Sequence, residues 1–545
     1  MPRFSGLTKW QYALLIGTPI AIGAGYLYYR NISSSNKKRE KPTVPGEPTN
    51  EESSKVKPPS ELEVAMTCKN KGNSFFKEGK YSDAIVCYSE SILLCPGENK
   101  TQLATFYQNR AAAYEQLKNF NKVVEDTSKA LELNTKYFKA LNRRAKAYES
   151  LKQYEKCLED VTAICIIEAF QNRPALLMTD RVLKVLGQEK AKEAIQNHIP
   201  YLPSKFFITH YFRSYHNDPL TADANKYEEG MTGYLKAIHD FASEKYGNVI
   251  KDCDEEINKN GDHKAEAMLL RSTFYTLQGQ TDAAKKDFNT LISDPNVVKQ
   301  IKANALIKLA SLKMQEEQAD ECFEDFKESI RLYPENPDVY LHRGQIYLLV
   351  RKLQESVEDM NKAVELAPDF QIAHVQLCYM KYRRAVDNNN SVELTVILNQ
   401  FESLQAKFPN CTEAFFLHAQ VLTEQEKYEA AFKMYDYALK IDNGNPNIHV
   451  HKGILILQWR QDINEAVELI NLGIKTDPTC DFAYETLGSI EVQRGNLEKA
   501  VSLFDESIKL AKTEPELVHL FALREAAAVQ QKVSKNLGIN IPLLG

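Results

Sequence analysis

Five polar side chains fall at related places between residues 69 and 143: Lys69, Asn73, Asn109, Lys139 and Arg143. Lys69 and Asn73 are four apart, as are Lys139 and Arg143, so on a helix each pair projects from successive turns of one face. Three cations and two amides on one surface suit a carboxylate-rich ligand end. A chain-terminal aspartate presents an α-carboxylate and a β-carboxylate, and Lys, Arg and Asn donate to both. A polar helix face that simply meets water uses the same residue types, and spacing alone does not separate the two readings.

The elements that carry these residues are repeated. Small residues recur at Gly72, Ala111 and Ala145, 39 and then 34 positions apart, followed three residues on by Phe75, Tyr114 and Tyr148. A 34-residue period of this kind marks tetratricopeptide helix-turn-helix units. The small residue lets two helices cross closely, and the aromatic fills the space beside it. The five extra residues between the first two copies fit the polar run Pro96-Gly97-Glu98-Asn99-Lys100, a longer turn. Numbering the repeats from Ala65, Ala104 and Phe138 places packing residues at positions 4, 7, 8 and 11. The five polar residues fall on a second stripe, at positions 2, 5, 6 and 9, which lines the concave side of stacked helix pairs.

The runs Lys69-Asn70-Lys71-Gly72-Asn73, Asn109-Arg110-Ala111-Ala112-Ala113-Tyr114 and Lys139-Ala140-Leu141-Asn142-Arg143 resemble the carboxylate-clamp tetratricopeptide domains of co-chaperones. All five motif positions match. The resemblance implies that these residues hold the C-terminal Glu-Glu-Val-Asp of the seventy- and ninety-kilodalton heat-shock chaperones. Lys69, Asn73 and Asn109 would take the terminal aspartate's carboxylates, and Lys139 and Arg143 would complete the clamp. Arg110, Arg144 and Lys146 would be neighbours that raise the local positive potential.

Beyond Ala169 the period breaks over residues 170–224, where prolines and the aromatic run Lys205 to Tyr215 predict a packed connector acting as a hinge. His210 and His216 lack acidic or cysteine companions at ligand spacing, so no metal site is expected. The period resumes over 225–545, with Ser272, Ala310, Gly344, Ala419, Gly453 and Gly488 at the small-residue position and steps of 34 or 35 between clear copies. This predicts a second array with a long inner surface suited to extended or helical peptide segments, although no preprotein pocket can be named from it. The expected fold is all-α, about eleven repeats in two arrays. There is no phosphate-cradling Gly-rich motif, G-x-S-x-G or H-E-x-x-H, so no catalytic residue and no cofactor are expected.

Residues 10–29, from Trp10 to Tyr29, contain no charged side chain and would span about 30 Å as a helix, one hydrocarbon core. The heavier basic flank, Arg30, Lys37, Lys38 and Arg39, is C-terminal and favours a cytosolic bulk. A single N-terminal transmembrane helix is therefore expected, with residues 1–9 on the side of the membrane away from the cytosol. A cleaved signal peptide is the competing reading, disfavoured by the length of the apolar stretch. Residues 30–60, rich in Ser, Pro, Lys and Glu, read as a disordered linker with a reach of roughly 30 Å. Flank and hydrophobicity do not separate the mitochondrial outer membrane from the endoplasmic reticulum.

Over 545 residues the formal charge is only -5, which argues against nucleic acid as a partner. Ten singly spaced cysteines, with no C-x-x-C pair, fit a reducing compartment and buried thiols. Anchor, linker, clamp, connector and second array together resemble the seventy-kilodalton receptor family of the mitochondrial outer-membrane translocase. That resemblance implies a receptor for preproteins with internal targeting information, such as inner-membrane carriers, working with other translocase subunits. The alternative is a membrane-tethered co-chaperone or scaffold on the endoplasmic reticulum with no import role. A glycosyltransferase or isomerase carrying repeats would need a catalytic domain for which the chain has no room.

Overall fold

The computed structural model describes residues 60–197, 199–221 and 228–539. The expected anchor at 10–29, the segment before it and all of the linker but Ser60 lie outside the described residues. Among the described residues no helix is long and apolar enough to cross a membrane. The described chain is built from α-helices and short 3-10 turns, and no strand occurs among the described residues.

The first hairpins are α1 (Glu61–Lys77) with α2 (Tyr81–Leu94), α3 (Lys100–Gln116) with α4 (Phe120–Leu133), and α5 (Phe138–Ser150) with α6 (Tyr154–Ile167). α1 starts at a reciprocal cap: Ser60 Oγ accepts from the Glu63 N–H, and Glu63 Oε2 accepts from the Ser60 N–H. Each hairpin turns at one left-handed residue, Gly79, Lys118 and Lys152 in succession. Past that turn the next N–H bonds back across the helix end, as Lys80 to the Phe75 carbonyl at 2.9 Å. Ala111 and Ala145 are fully buried at the helix crossings. At Gly72 an added Cβ would lie 2.8 Å from the Tyr88 ring.

Compactness divides the chain into two units. One holds the described part of Asn36–Ala194 with Gly488–Asp505 and the chain from Leu517 onward. In it, α7 (Arg173–Gln196) follows the third hairpin, and Val529 and Val533 of the C-terminal helix Glu514–Leu537 join Met178, Val182 and Leu186 in one core. Gly187 is what allows that approach, because a Cβ there would meet the Val518 carbonyl oxygen at 2.5 Å. Lys190 pairs with the nearly buried Glu525 at 2.9 Å.

The other described unit is Ile195–Leu487 with Glu506–Glu516. It starts at α8 (Lys205–Arg213), whose Ile208, Tyr211 and Phe212 enter a core with Phe274 and Phe288. The loop after α8 is fastened by buried charge. Lys308, fully buried, donates to Asp218 Oδ2 at 3.1 Å and lies 4.2 Å from the Tyr215 ring centroid. Asp338 accepts the N–H groups of His216 and Asn217 at 2.7 and 2.9 Å. Helical hairpins then follow one another, with Gly344 and Gly453 lying against the partner helix of their own hairpin, beside Met360 and Ile470. All ten cysteines are free, and all but Cys68 are buried.

Candidate functional site

The five candidate residues lie on the first helices of the first three hairpins, Lys69 and Asn73 on α1, Asn109 on α3, and Lys139 and Arg143 on α5. Lys139 is exposed and the other four are half-buried. The site is built outward from the Gly72 crossing. The missing side chain admits the Tyr88 ring, and the Tyr88 hydroxyl donates to Asn73 Oδ1 at 2.8 Å. Asn109 Nδ2 donates to the same oxygen at 3.4 Å, joining two hairpins. With Asn73 Oδ1 occupied from two sides, what remains for a ligand is its NH₂ group and the second N–H of Asn109. Burial pushes the Tyr88 phenol up to about 12, so it stays a donor at neutral pH.

Lys139 and Arg143 line a hollow together with Gln108, Glu115, Asn142 and Lys146. Arg143 Nε donates to Glu115 Oε2 at 2.6 Å, and its Nη1 donates to the Gln108 carbonyl at 3.3 Å. The buried Gln108 side-chain oxygen has no donor among the described residues. No hydrogen bond or ion pair joins Lys69 to the other four, and neither Lys69 nor Lys139 has an acidic partner among the described residues.

Arg110 and Arg144 behave differently from the expectation that they raise the local potential. Arg110 Nε and Nη2 donate to Asp126 at 2.8 and 2.7 Å, and Nη1 reaches Ser89 Oγ at 3.0 Å. Arg144 repeats the arrangement on Asp160 and Ser128 at the same three distances. Each arginine ties its own hairpin's second helix to that of the preceding hairpin. Arg271 with Asp287 and Arg343 with Asp359 repeat the pairing, again 16 residues apart. These charges are neutralised in place, because a buried carboxylate needs such a partner. Lys146 has no acidic partner among the described residues. The structure thus adds three residues that sequence spacing missed: Tyr88, Gln108 and Glu115. The contacts that these three make between helices do not recur along the chain as the Arg–Asp pairs do, and only the seven-residue step from Gln108 to Glu115 on α3 could have pointed to a shared face.

Elsewhere, His210 lies 3.1 Å from Asp442 and His216 3.1 Å from Asp369, each across a long sequence separation. Among the described residues no group of three or more His, Cys, Asp or Glu side chains is placed to hold a metal ion.

Two family models described as tetratricopeptide repeat match residues 337–370 and 398–446. The human mitochondrial import receptor subunit TOM70 is 43% identical over 574 residues, covering 99% of this chain and 94% of its own. The protein of the same name from Saccharomyces cerevisiae is 26% identical over 515 residues, covering 86% and 80%. The crystal structure of yeast Tom70 overlays with a TM-score of 0.50 at 26% identity, covering 87% of this chain and 98% of that one. Among the described residues the fold is an all-helical array of tetratricopeptide repeats. The chain belongs to the TOM70 family of mitochondrial import receptor subunits, which are receptors and not enzymes.

Proposed function

We propose that the protein is a receptor of the mitochondrial outer-membrane translocase. It docks cytosolic heat-shock chaperones of the seventy- and ninety-kilodalton classes by their C-terminal Glu-Glu-Val-Asp and takes over hydrophobic preproteins such as inner-membrane carriers. The observation that carries this reading is the 43% identity to the human receptor along 99% of the chain. In this reading residues 10–29 are the single anchor, with 1–9 in the intermembrane space and 30–60 as the tether. Residues 61–169 are the chaperone clamp, 170–224 the connector, and 225–545 the preprotein-binding array.

The chemistry of the clamp follows from donors already aimed. Asn73 and Asn109 contribute N–H groups whose direction is set by the shared oxygen of Asn73. They take the terminal carboxylates together with the ammonium of Lys69, while Lys139 and Arg143 take the upstream carboxylates as charge-assisted bonds. A chaperone tail and its cargo bound at the same time act as two modest contacts in one complex, which raises the effective affinity for loaded chaperone over empty chaperone.

The test is import of a carrier precursor into mitochondria that depend on this protein as their receptor. Excess free peptide ending in Glu-Glu-Val-Asp should slow import, the amidated peptide should not, and Arg143→Ala should lower import to the peptide-blocked level. Import indifferent to both peptide and substitution would defeat the chaperone-docking part of the proposal.

A further inference from the structure

We propose that Glu115 is an internal competitor in the clamp: its carboxylate occupies Arg143 in the empty groove and has to be exchanged for a carboxylate of the ligand. The inference rests on the clamp reading given above. It assigns to Glu115 a selective role, favouring peptide ends dense in carboxylates over ends that carry few.

The geometry separates this ion pair from the structural pairs next to it. Asp126 and Asp160 each hold an arginine through two parallel bonds and are only 2% and 5% exposed, so neither can be exchanged without opening a hairpin. Glu115 and Arg143 meet through one N–H, at 26% and 21% exposure, across two hairpins. Water and ligand can therefore reach the pair, and its loss leaves both hairpins intact. The guanidinium does not depend on Glu115 for its position, because Nη1 is also tied to the Gln108 carbonyl. Removing the Glu115 carboxylate thus leaves Arg143 aimed at the hollow with its Nε free.

The surroundings identify what Glu115 imitates. The hollow holds Lys139, Arg143 and Lys146, and Glu115 is the acidic side chain lining it. Lys139 and Lys146 have no acidic partner among the described residues. Glu115 follows Gln108 by seven residues on α3, two turns along the same face, and its carboxylate lines the hollow beside the cations that a ligand carboxylate would meet. A ligand with several acidic groups replaces the lost pair and still engages the lysines. A ligand with only its terminal aspartate does not make up the exchange.

The experiment is calorimetric titration of the full-length protein and of Glu115→Gln with two peptides, one ending in Glu-Glu-Val-Asp and one in Gln-Gln-Val-Asp, each also amidated. The wild-type protein should prefer the first peptide and lose it on amidation. Glu115→Gln should bind tighter by about three- to ten-fold, the size of removing one partly exposed competing charge, and more so for the second peptide, narrowing the preference. Glu115→Asp, shorter by one methylene, should fall between. Helical circular dichroism should be the same for all three proteins. Wild-type binding that depends on the free carboxyl, with Glu115→Gln equal or weaker, would overturn the competitor role and leave the clamp standing. Absence of amidation-sensitive binding in the wild type would take both down.

Discussion

The hydroxyl of Tyr88 donates to the side-chain oxygen of Asn73 at 2.8 Å, and the amide NH₂ of Asn109 donates to the same oxygen at 3.4 Å. A residue of the repeat core thereby fixes the donor direction of two groove residues. Packing at the Gly72 crossing and recognition in the groove are one piece of structure.

Tyr88→Phe keeps the ring against Gly72 and removes only the hydroxyl. The Asn73 amide then loses its stronger partner and is free to turn. We expect a loss of about 1 kcal/mol in stability and a several-fold weaker affinity for the chaperone-tail peptide, read by thermal unfolding and by titration. Unchanged affinity would mean that the hydroxyl does not orient the clamp.

Gly72→Ala puts a methyl 2.8 Å from the Tyr88 ring and 3.2 Å from Cys87 Cβ, so α1 and α2 must separate. Overpacking of this kind costs about 1–3 kcal/mol. Because the ring carries the hydroxyl, affinity should fall along with stability. Hydrogen exchange over Glu61–Leu94 should rise while the third hairpin stays protected.

The two kinds of arginine should part company on mutation. Arg110→Ala strands Asp126, which is almost wholly buried, and should cost about 3 kcal/mol. Arg143→Ala removes a partly exposed pair and should cost under about 1 kcal/mol while abolishing binding of the tail peptide. Chemical denaturation and titration of both variants separate stability from affinity. Equal stability losses would contradict the division drawn between structural and exchangeable pairs.

Acid should weaken the unit at Ile195–Leu487. Burial holds His342 and His451 down to about 3 and His418 to about 4. An unfolded chain takes up protons on these rings below pH of about 6.5, whereas the folded chain does not, so stability is lost as pH falls from there toward 4. Asp338 runs the other way. Burial lifts it to about 6 despite its two backbone N–H donors, so the folded chain protonates first and gains stability as pH falls below 6. Burial also lowers His449 and raises Asp325, Asp359 and Glu424, but the imidazole loss begins below pH of about 6.5, ahead of the ordinary carboxylate range, so the urea midpoint should be lower at pH 5.0 than at pH 7.5. His342→Gln should shrink the difference.

Much of this architecture is legible in the sequence because the repeat writes one small residue at each helix crossing. Gly72, Ala111, Ala145, Gly344 and Gly453 stand at such crossings for the steric reason that gave the period. The five groove candidates were legible because they share one stripe along single helices. Most contacts made between helices could not be read, the recurring 16-residue Arg–Asp step being the exception. Tyr88 reaches Asn73 over 15 residues, and Arg143 reaches Glu115 over 28. Neither separation follows from a helical period. For the same reason the pairing of Val529 and Val533 with Met178 and Val182 has no sequence signal. It depends on the helix backbones meeting at Gly187, more than 300 residues earlier in the chain.

The most direct test of the central claim is calorimetric titration of the full-length protein with a peptide ending in Glu-Glu-Val-Asp, set beside the same peptide amidated at its C-terminus. The account predicts micromolar binding to the free acid, lost on amidation and lost in Asn109→Ala. Equal binding of both peptides, or none of either, would contradict it and return Lys69, Asn73, Asn109, Lys139 and Arg143 to the status of a solvated helix face.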